Sequence, residues 1–307
     1  MSTTAETEVS SDESIVVRRR RPRRPGRGST LGLLAAPGGW LALFFLVPVL
    51  MVAAYSFGAL TLLPQDLYLS LRPWQDFLAS DVHLGLFWKS VRLSTTVSVV
   101  SVLLAYPVAY VLALVAGRRK YTLLLLIIAP FLTSYLLRVL AWRVILGDQG
   151  VIITFLRDIR ILGPEEGISW IFYSPFAVYV VLAYVWVPFV ALPIFVTLES
   201  MDHALLEASN DLGAGRFKTF LTVTLPLSMP GVIAGFIFVF IPTIGEYVTP
   251  LLVGGPDGFF FGNAIQGAFL QGFDWQFGAA MSMFLIFAVA ILLAAFGRYL
   301  NVRTVTD

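Results

Sequence analysis

The chain has 307 residues, of which 58% are hydrophobic and 13% charged, with a net charge of +2 and a mean hydropathy of +0.82. Soluble domains carry about 25% charged residues, so this composition excludes an ordinary water-soluble globule and places most of the chain in a bilayer. The absence of cysteine excludes disulfides, thiolate nucleophiles and cysteine-ligated metal.

Residues 1–39 are Ser/Glu-rich and then basic, with "RRRRPRRPGR" at Arg18 to Arg27. No apolar periodicity runs through them, which predicts a disordered tail. A basic run directly ahead of a span sets topology and touches anionic lipid, so nucleic acid is not the expected partner. The tail is too long, and the first apolar run too extended, for a cleaved signal peptide.

Residues 40–307 hold six apolar runs: Trp40–Leu63, Val91–Ala116, Tyr121–Leu146, Ile171–Leu198, Gly231–Val253 and Phe277–Tyr299. Each is long enough to cross about 30 Å of hydrocarbon as a helix of roughly 20 residues. The runs are continuous rather than alternating, which selects an all-α polytopic membrane protein with six transmembrane helices over a β-barrel. Lys and Arg gather on one side of these spans, in the tail, in "GRRK" at Gly117–Lys120, at Arg216 and Lys218, and at Arg298 and Arg303. That side reads as the cytoplasm, and with six spans both the N and C termini are cytoplasmic. The opposite loops hold fewer cations: Arg72, Lys89, Arg157 and Arg160.

Catalytic constellations are not visible. His83 and His203 fall on opposite sides of the membrane and cannot share a metal. "GAGRFKT" at Gly213–Thr219 imitates the end of a phosphate-binding loop, but Phe217 stands where that loop needs Gly, and no strand precedes it.

Between the fourth and fifth runs, residues 199–225 concentrate charge, Gly and Pro. Asp202 is placed to cap a helix on which Leu205, Ala208 and Leu212 form an apolar stripe opposing Glu207 and Asp211. Gly213 suits the left-handed turn that ends it. A second short helix from Gly215 puts Phe217, Phe220 and Leu221 on one face, and Pro226 and Pro230 mark the break before the fifth span. Such a hairpin either docks a partner or lies among headgroups.

The stretch "EASNDLGAGRFKTFLTVTLPLSMPG", Glu207 to Gly231, resembles the EAA loop of the permease subunits of bacterial binding-protein-dependent ABC importers, with Ser209 in place of the second Ala. "PFLTSYLLRVLAWRVILGDQG" (Pro130–Gly150), "FIPTIGEYVTPLLVGG" (Phe240–Gly255) and "NAIQGAFLQGFDWQFGAAMS" (Asn263–Ser282) are similar to the spermidine/putrescine type. The resemblance implies a type I ABC importer permease fold and a transport subunit rather than an enzyme. It also implies that Glu207, Ala208 and Gly213, with Ala214, Arg216 and Phe217 of the same loop, contact a cytosolic ATPase. The implied partners are a homodimeric ABC ATPase that binds the ATP and Mg, a second homologous permease and an extracytoplasmic solute-binding protein. No cofactor is expected in this chain itself. Iron, sulfate or thiamine are alternative solutes within the family, and a self-contained secondary transporter is the rival class, although beyond Glu246 the spans hold no further carboxylate for ion coupling.

An ionisable group at membrane depth costs at least about 2.5 kcal/mol and normally faces a partner or a water-filled path. Arg143 is near enough to a span end to snorkel. Arg138 precedes Leu146 by eight residues, about 12 Å at 1.5 Å per residue, and Glu246 precedes Val253 by seven, so both sit at similar depth and are expected to face one interior. They form either a buried ion pair or a site where Glu246 attracts a cation while Arg138 keeps it ionised. Pro242, Gly245 and Pro250 interrupt the span around Glu246, as is tolerated where freed carbonyls face protein or a cavity. Tyr247, and the ring of Trp142, add cation–π surface for an ammonium ligand. Asp257 and Asp274 lie in the outer loop, as a surface for the binding protein.

Overall fold

A computed structural model describes residues 27–59, 69–147, 149–161, 163 and 173–304. Among these every regular element is helical. In chain order they are α1 (Arg27–Ser56), α2 (Arg72–Leu78), α3 (Asp81–Tyr110), α4 (Lys120–Ile128), α5 (Tyr135–Ile145), α6 (Val151–Asp158) and α7 (Pro175–Glu199). Then follow α8 (His203–Asp211), α9 (Arg216–Thr219), α10 (Leu225–Ile244), α11 (Val248–Val253), α12 (Phe261–Leu270) and α13 (Trp275–Thr304). The chain divides between Val49 and Leu50 into two units. The first is represented by the start of α1; the packing and the sites described below belong to the second. Helix α1 opens at Arg27, so residues 27–39 are helical rather than part of an extended tail. Residues 1–26 lie outside the described part, as do Leu63 and Ile171, the expected ends of two spans.

Three long helices make the centre. Leu93, Val97, Ala105 and Ala109 of α3 meet Val181, Leu182, Val190, Ile194 and Leu198 of α7 and Val239 of α10 in one buried cluster. Lipid supplies no hydrophobic drive between apolar helices, so close contact depends on small residues that let backbones approach. Helix α3 buries Ser90, Ser94, Ser98 and Ser101. Helix α10 offers Gly231 and Gly235 at G-x-x-x-G spacing. A β-carbon on Gly231 would strike Thr197 Oγ1 and lie 2.6 Å from the Pro193 carbonyl oxygen, and one on Gly235 would lie 3.0 Å from Val190 Cγ1. A second, aromatic cluster joins α2, the start of α3, α12 and α13: Phe77 and Phe87 lie 5.0 and 4.9 Å from Phe284, and Phe87 lies 5.6 Å from Phe261.

Two expected spans differ from the sequence reading. The fifth is one helical run of 29 residues, Arg216–Ile244, formed by α9, a π-helical turn at Phe220–Thr224 and α10. Pro226 and Pro230 do not break it. Pro226 follows directly on that π-helical turn, the kind of local adjustment by which a membrane helix accommodates a residue without an amide. The break comes at Gly245–Tyr247, in the stretch that Pro242, Gly245 and Pro250 were expected to interrupt. The third span is not straight: its arms Gly117–Leu132 and Tyr135–Ile145 meet at 82°. Pro130 lies in the 3₁₀ turn Ala129–Leu132, and extended Thr133 gives its hydroxyl to the Pro130 carbonyl at 2.7 Å, so the α-helical ladder stops there. Among the described residues five helical segments are long and apolar enough to cross a membrane, and the bent pair is the sixth when taken as one span. The fourth span runs unbroken through Pro188 and Pro193.

If the glycine contact holds α10 against α7, Gly231→Val will overpack it and destabilise the bundle by about 1–3 kcal/mol. The check is the melting temperature in mild detergent, with Gly267→Ala as control because its β-carbon would meet nothing within 4 Å. An unchanged melt for Gly231→Val contradicts the packing account.

Candidate functional site

The charged segment after α7 folds as a hairpin of α8 and α9. The Asp202 carboxylate accepts the Ala204 amide at 2.9 Å and caps α8. At the far end Gly213 takes φ +79°. Its amide donates to the Asn210 carbonyl at 2.9 Å, and that of Ala214 donates to the Ser209 carbonyl at 3.1 Å. This paired closure of a helix end needs a residue without a β-carbon penalty. Between the two helices Ser209 Oγ and Thr219 Oγ1, both buried, share a hydrogen bond of 3.0 Å. Serine at the second Ala position of the loop therefore has a structural role: it ties α8 to α9.

The apolar residues of this hairpin do not behave as the periodicity suggests. Phe220 alone turns inward, with ring centres 5.7 and 6.1 Å from Tyr106 and Tyr110. Phe217 and Leu221 point outward with the α8 stripe: Leu212 is 89% and Phe217 74% exposed, and Leu205, Ala208, Glu207 and Arg216 are exposed beside them. The inner face is claimed by Ser209, Thr219 and Phe220, which leaves the larger apolar side chains uncovered. Gly213 is exposed and Ala214 half-buried at the turn.

The second constellation is the break in the fifth span. Glu246 Oε1 accepts the amides of Val248 at 2.8 Å and Thr249 at 3.0 Å, so its carboxylate caps α11. The Tyr247 carbonyl accepts from Asn263 Nδ2 at 3.0 Å, while Asn263 Oδ1 accepts the Phe260 amide at 3.2 Å. The Phe261 amide donates to Ser90 Oγ at 2.9 Å. Helix α12 thus lies directly over the break. A β-carbon on Gly262 would strike the Gly245 carbonyl and sit 2.7 Å from that of Glu246.

Arg138 and Glu246 do not form the ion pair that sequence allowed: none joins them among the described residues. Tyr135 lies close to both charges. Its hydroxyl lies 2.5 Å from Thr249 Oγ1 and within electrostatic reach of both Glu246 and Arg138. The Arg138 guanidinium stands 5.1 Å from the centre of the Phe131 ring, and its Nε and Nη1 have no hydrogen-bond partner among the described residues. Phe131 and Trp142 each lie 5.2 Å from the Tyr184 ring. These three rings border a cleft of about 840 Å³ between α3, α7 and the two arms of the third span, with Arg92 as its charged lining residue. Trp142 therefore belongs to the cleft, Glu246 to the cap of α11, and Arg138 reaches from the Tyr135 side toward Phe131. Tyr247 is 42% exposed, and its backbone rather than its ring is what the break uses. Arg143 follows expectation in lying at the surface, where Nη2 donates to the Tyr173 hydroxyl.

Sequence reasoning passed over Tyr135 and Asn263. Tyr135 shares a helix face with Arg138 and Trp142, at i, i+3 and i+7, and that spacing was the available signal. Asn263 was visible as an amide inside the apolar run "FFFGNAI".

Apolar helices packed through small residues, with a broken span and a capped hairpin at one end, define a polytopic helical membrane protein. The profile of the binding-protein-dependent transport system inner membrane component family matches residues 19–306, and the chain belongs to that family, as a multi-pass protein of the plasma membrane. The spermidine/putrescine transport system permease protein PotB of Haemophilus influenzae is 34% identical over 261 residues, covering 84% of this chain and 90% of that protein. PotB of Escherichia coli is 32% identical over 262 residues, covering 85% and 94%. The inner membrane ABC transporter permease protein YdcU of Escherichia coli is 32% identical over 298 residues, covering 89% and 94%. A solved bacterial ABC transporter involved in import of the acidic polysaccharide alginate has a TM-score of 0.69 at 15% identity, covering 89% of this chain and 95% of that one; this is a likeness of fold.

The cap assigned to Glu246 predicts that Glu246→Ala, which strips both α11 amides of their acceptor, costs about 1 kcal/mol. Glu246→Gln retains a side-chain oxygen and costs less. Hydrogen exchange at Val248 and Thr249 should accelerate in the Ala variant and stay near wild type in the Gln variant; equal rates in both argue against the cap.

Proposed function

We propose that this chain is a permease subunit of an ATP-driven ABC importer that moves polyamines such as spermidine and putrescine into the cytoplasm. The observation that carries the coupling half of this reading is the α8–α9 hairpin, whose ends and middle are locked by hydrogen bonds while Leu212 and Phe217 stand exposed. A rigid polar-rimmed apolar knob is built to enter a groove on another protein. Asp202, Glu207 and Asp211 around it outnumber Arg216 and Lys218, which weakens the attraction to anionic headgroups on which an interfacial hairpin would depend. Glu207, Ala208, Gly213, Ala214, Arg216 and Phe217 form the contact with a cytosolic ATPase, which binds the ATP and Mg. The side with the hairpin, Arg118 and Arg119 is cytoplasmic. A second, homologous permease completes the membrane pathway, and an extracytoplasmic binding protein delivers the solute to the opposite end, near Asp257 and Asp274.

The substrate half is supported by the relatives named for spermidine and putrescine transport and by the chemistry of the path. Trp142 and Tyr184 offer ring faces for an alkylammonium chain, whereas Phe131 already stands against Arg138 and the charged residue of the cleft is the cation Arg92. Glu246 and Tyr247 mark the break, and the Glu246 carboxylate, although it caps α11, leaves a net negative charge that a passing polycation feels. Arg138 holds the local charge balance, so a cation is transiently attracted rather than trapped.

The test is purification of the chain from its native membrane in mild detergent beside a Glu207→Arg variant. The wild-type sample should bring an ABC ATPase and a second permease, and the variant should lose the ATPase while keeping the permease. Uptake of labelled spermidine should then fall about tenfold or more in Glu246→Gln, in line with the loss of a charged contact. Unchanged uptake at normal membrane levels removes Glu246 from the path, and a wild-type chain that purifies alone refutes the importer reading.

A further inference from the structure

At the start of the bent third span, Lys120 Nζ lies 2.7 Å from Glu199 Oε1, and the neighbouring Tyr121 hydroxyl donates to the same oxygen. Glu199 is the last residue of α7. One turn earlier on α7, Phe195 meets the Tyr121 ring edge-on at 6.2 Å, and Lys120 Nζ stands 5.3 Å from the centre of that same ring. One carboxylate thus binds two consecutive side chains of α4, and an aromatic contact fixes their direction of approach. No residue of α4 is fully buried; beside Leu124 and Ile127, which pack partly buried against the central cluster, this tie holds the start of the arm.

Glu199 is also the root of the α8–α9 hairpin. Only Ser200 and Met201 separate it from the capping residue Asp202. The Ser200 amide bonds the Val196 carbonyl at 3.1 Å and that of Met201 bonds Leu198 at 3.4 Å, and Met201 packs on the central cluster. The connection has no slack. At its other end α4 leads through the 3₁₀ turn to the 82° bend, beyond which stand Tyr135, Arg138 and Trp142.

We propose that the Lys120–Tyr121–Glu199 tie is a positioning element through which displacement of the hairpin reaches the bent third span, so that ATPase closure and the substrate path move together. This rests on the coupling role proposed for the hairpin. A partly exposed ion pair adds little to static stability. Its value here is directional: it couples two helices that otherwise meet through few buried contacts.

The experiment uses the full complex in proteoliposomes with its binding protein and spermidine, and measures spermidine moved per ATP hydrolysed together with ATPase recovery. Lys120→Met and Glu199→Gln should keep the ATPase bound yet lower transport per ATP by about fivefold or more, the lower range of coupling between linked sites. Lys120→Arg should retain wild-type coupling, and the reciprocal pair Lys120→Glu/Glu199→Lys should recover most of what either single reversal loses. A structural role alone would change recovery or melting and leave the transport-to-ATP ratio intact. Bound ATPase with an unchanged ratio in both neutral variants, or a reciprocal pair no better than its singles, overturns the tie. A wild-type complex without ATPase overturns the coupling reading and this proposal with it.

Discussion

Inside hydrocarbon every peptide group must find a partner within the protein, because no water is at hand to replace one. The break at Gly245–Tyr247 is where that constraint shapes this molecule. Glu246 takes two amides of α11, Asn263 takes the Tyr247 carbonyl, and Gly262 gives up a side chain so that α12 can approach the Gly245 and Glu246 carbonyls. The position of α12 follows from this stitching. With it come Phe261 and its contacts to Phe77 and Phe87, which bind α2 and α3 into the same end of the bundle. A carboxylate that looks from sequence like a free ligand is thus first a piece of backbone chemistry, and any attraction it exerts on a cation is exerted from a fixed place.

The same constraint explains the third span. Pro130 interrupts the ladder, a 3₁₀ turn and the Thr133 hydroxyl absorb the freed carbonyl, and the chain bends rather than running on. The bend sends α5 toward α11, where Tyr135 bonds Thr249, and sets Arg138 above Phe131 instead of against Glu246. Two opposite charges at equal depth therefore do not meet. A direct pair would have competed with the cap on α11; Glu246 is held instead by the α11 amides, and Arg138 stands against the face of Phe131.

At the hairpin, polar and apolar residues exchange the roles that lipid and core assign to them elsewhere. Two hydroxyls, Ser209 and Thr219, are buried, while Leu212 and Phe217 are exposed. Within one folded chain this is an unfavourable arrangement of apolar surface. It becomes favourable when another protein covers the knob, which ties the local physics of the segment to an assembly.

What sequence alone determined is the part governed by local chemistry and solvent. Continuous apolar runs dictate membrane-crossing helices; Asp202 and Gly213 dictate the two ends of α8; Pro242, Gly245 and Pro250 announce a broken fifth span; and the "EASNDLG" spacing announces the family. Each is decided within a few residues, by hydrogen bonding or by φ, so it is legible without neighbours. What only tertiary structure decided is which side chains face one another. The proline-rich entry to the fifth span stayed helical because the π-helical turn just before Pro226 made room for the ring. The hairpin's apolar stripe faced outward because Ser209 and Thr219 claimed the inner face. Arg138 and Glu246 stood apart because the α11 amides took the carboxylate and the Phe131 ring took the guanidinium. Distances between segments far apart in the chain depend on packing that no local pattern encodes, and it is there that the polar groups of this permease acquire their partners.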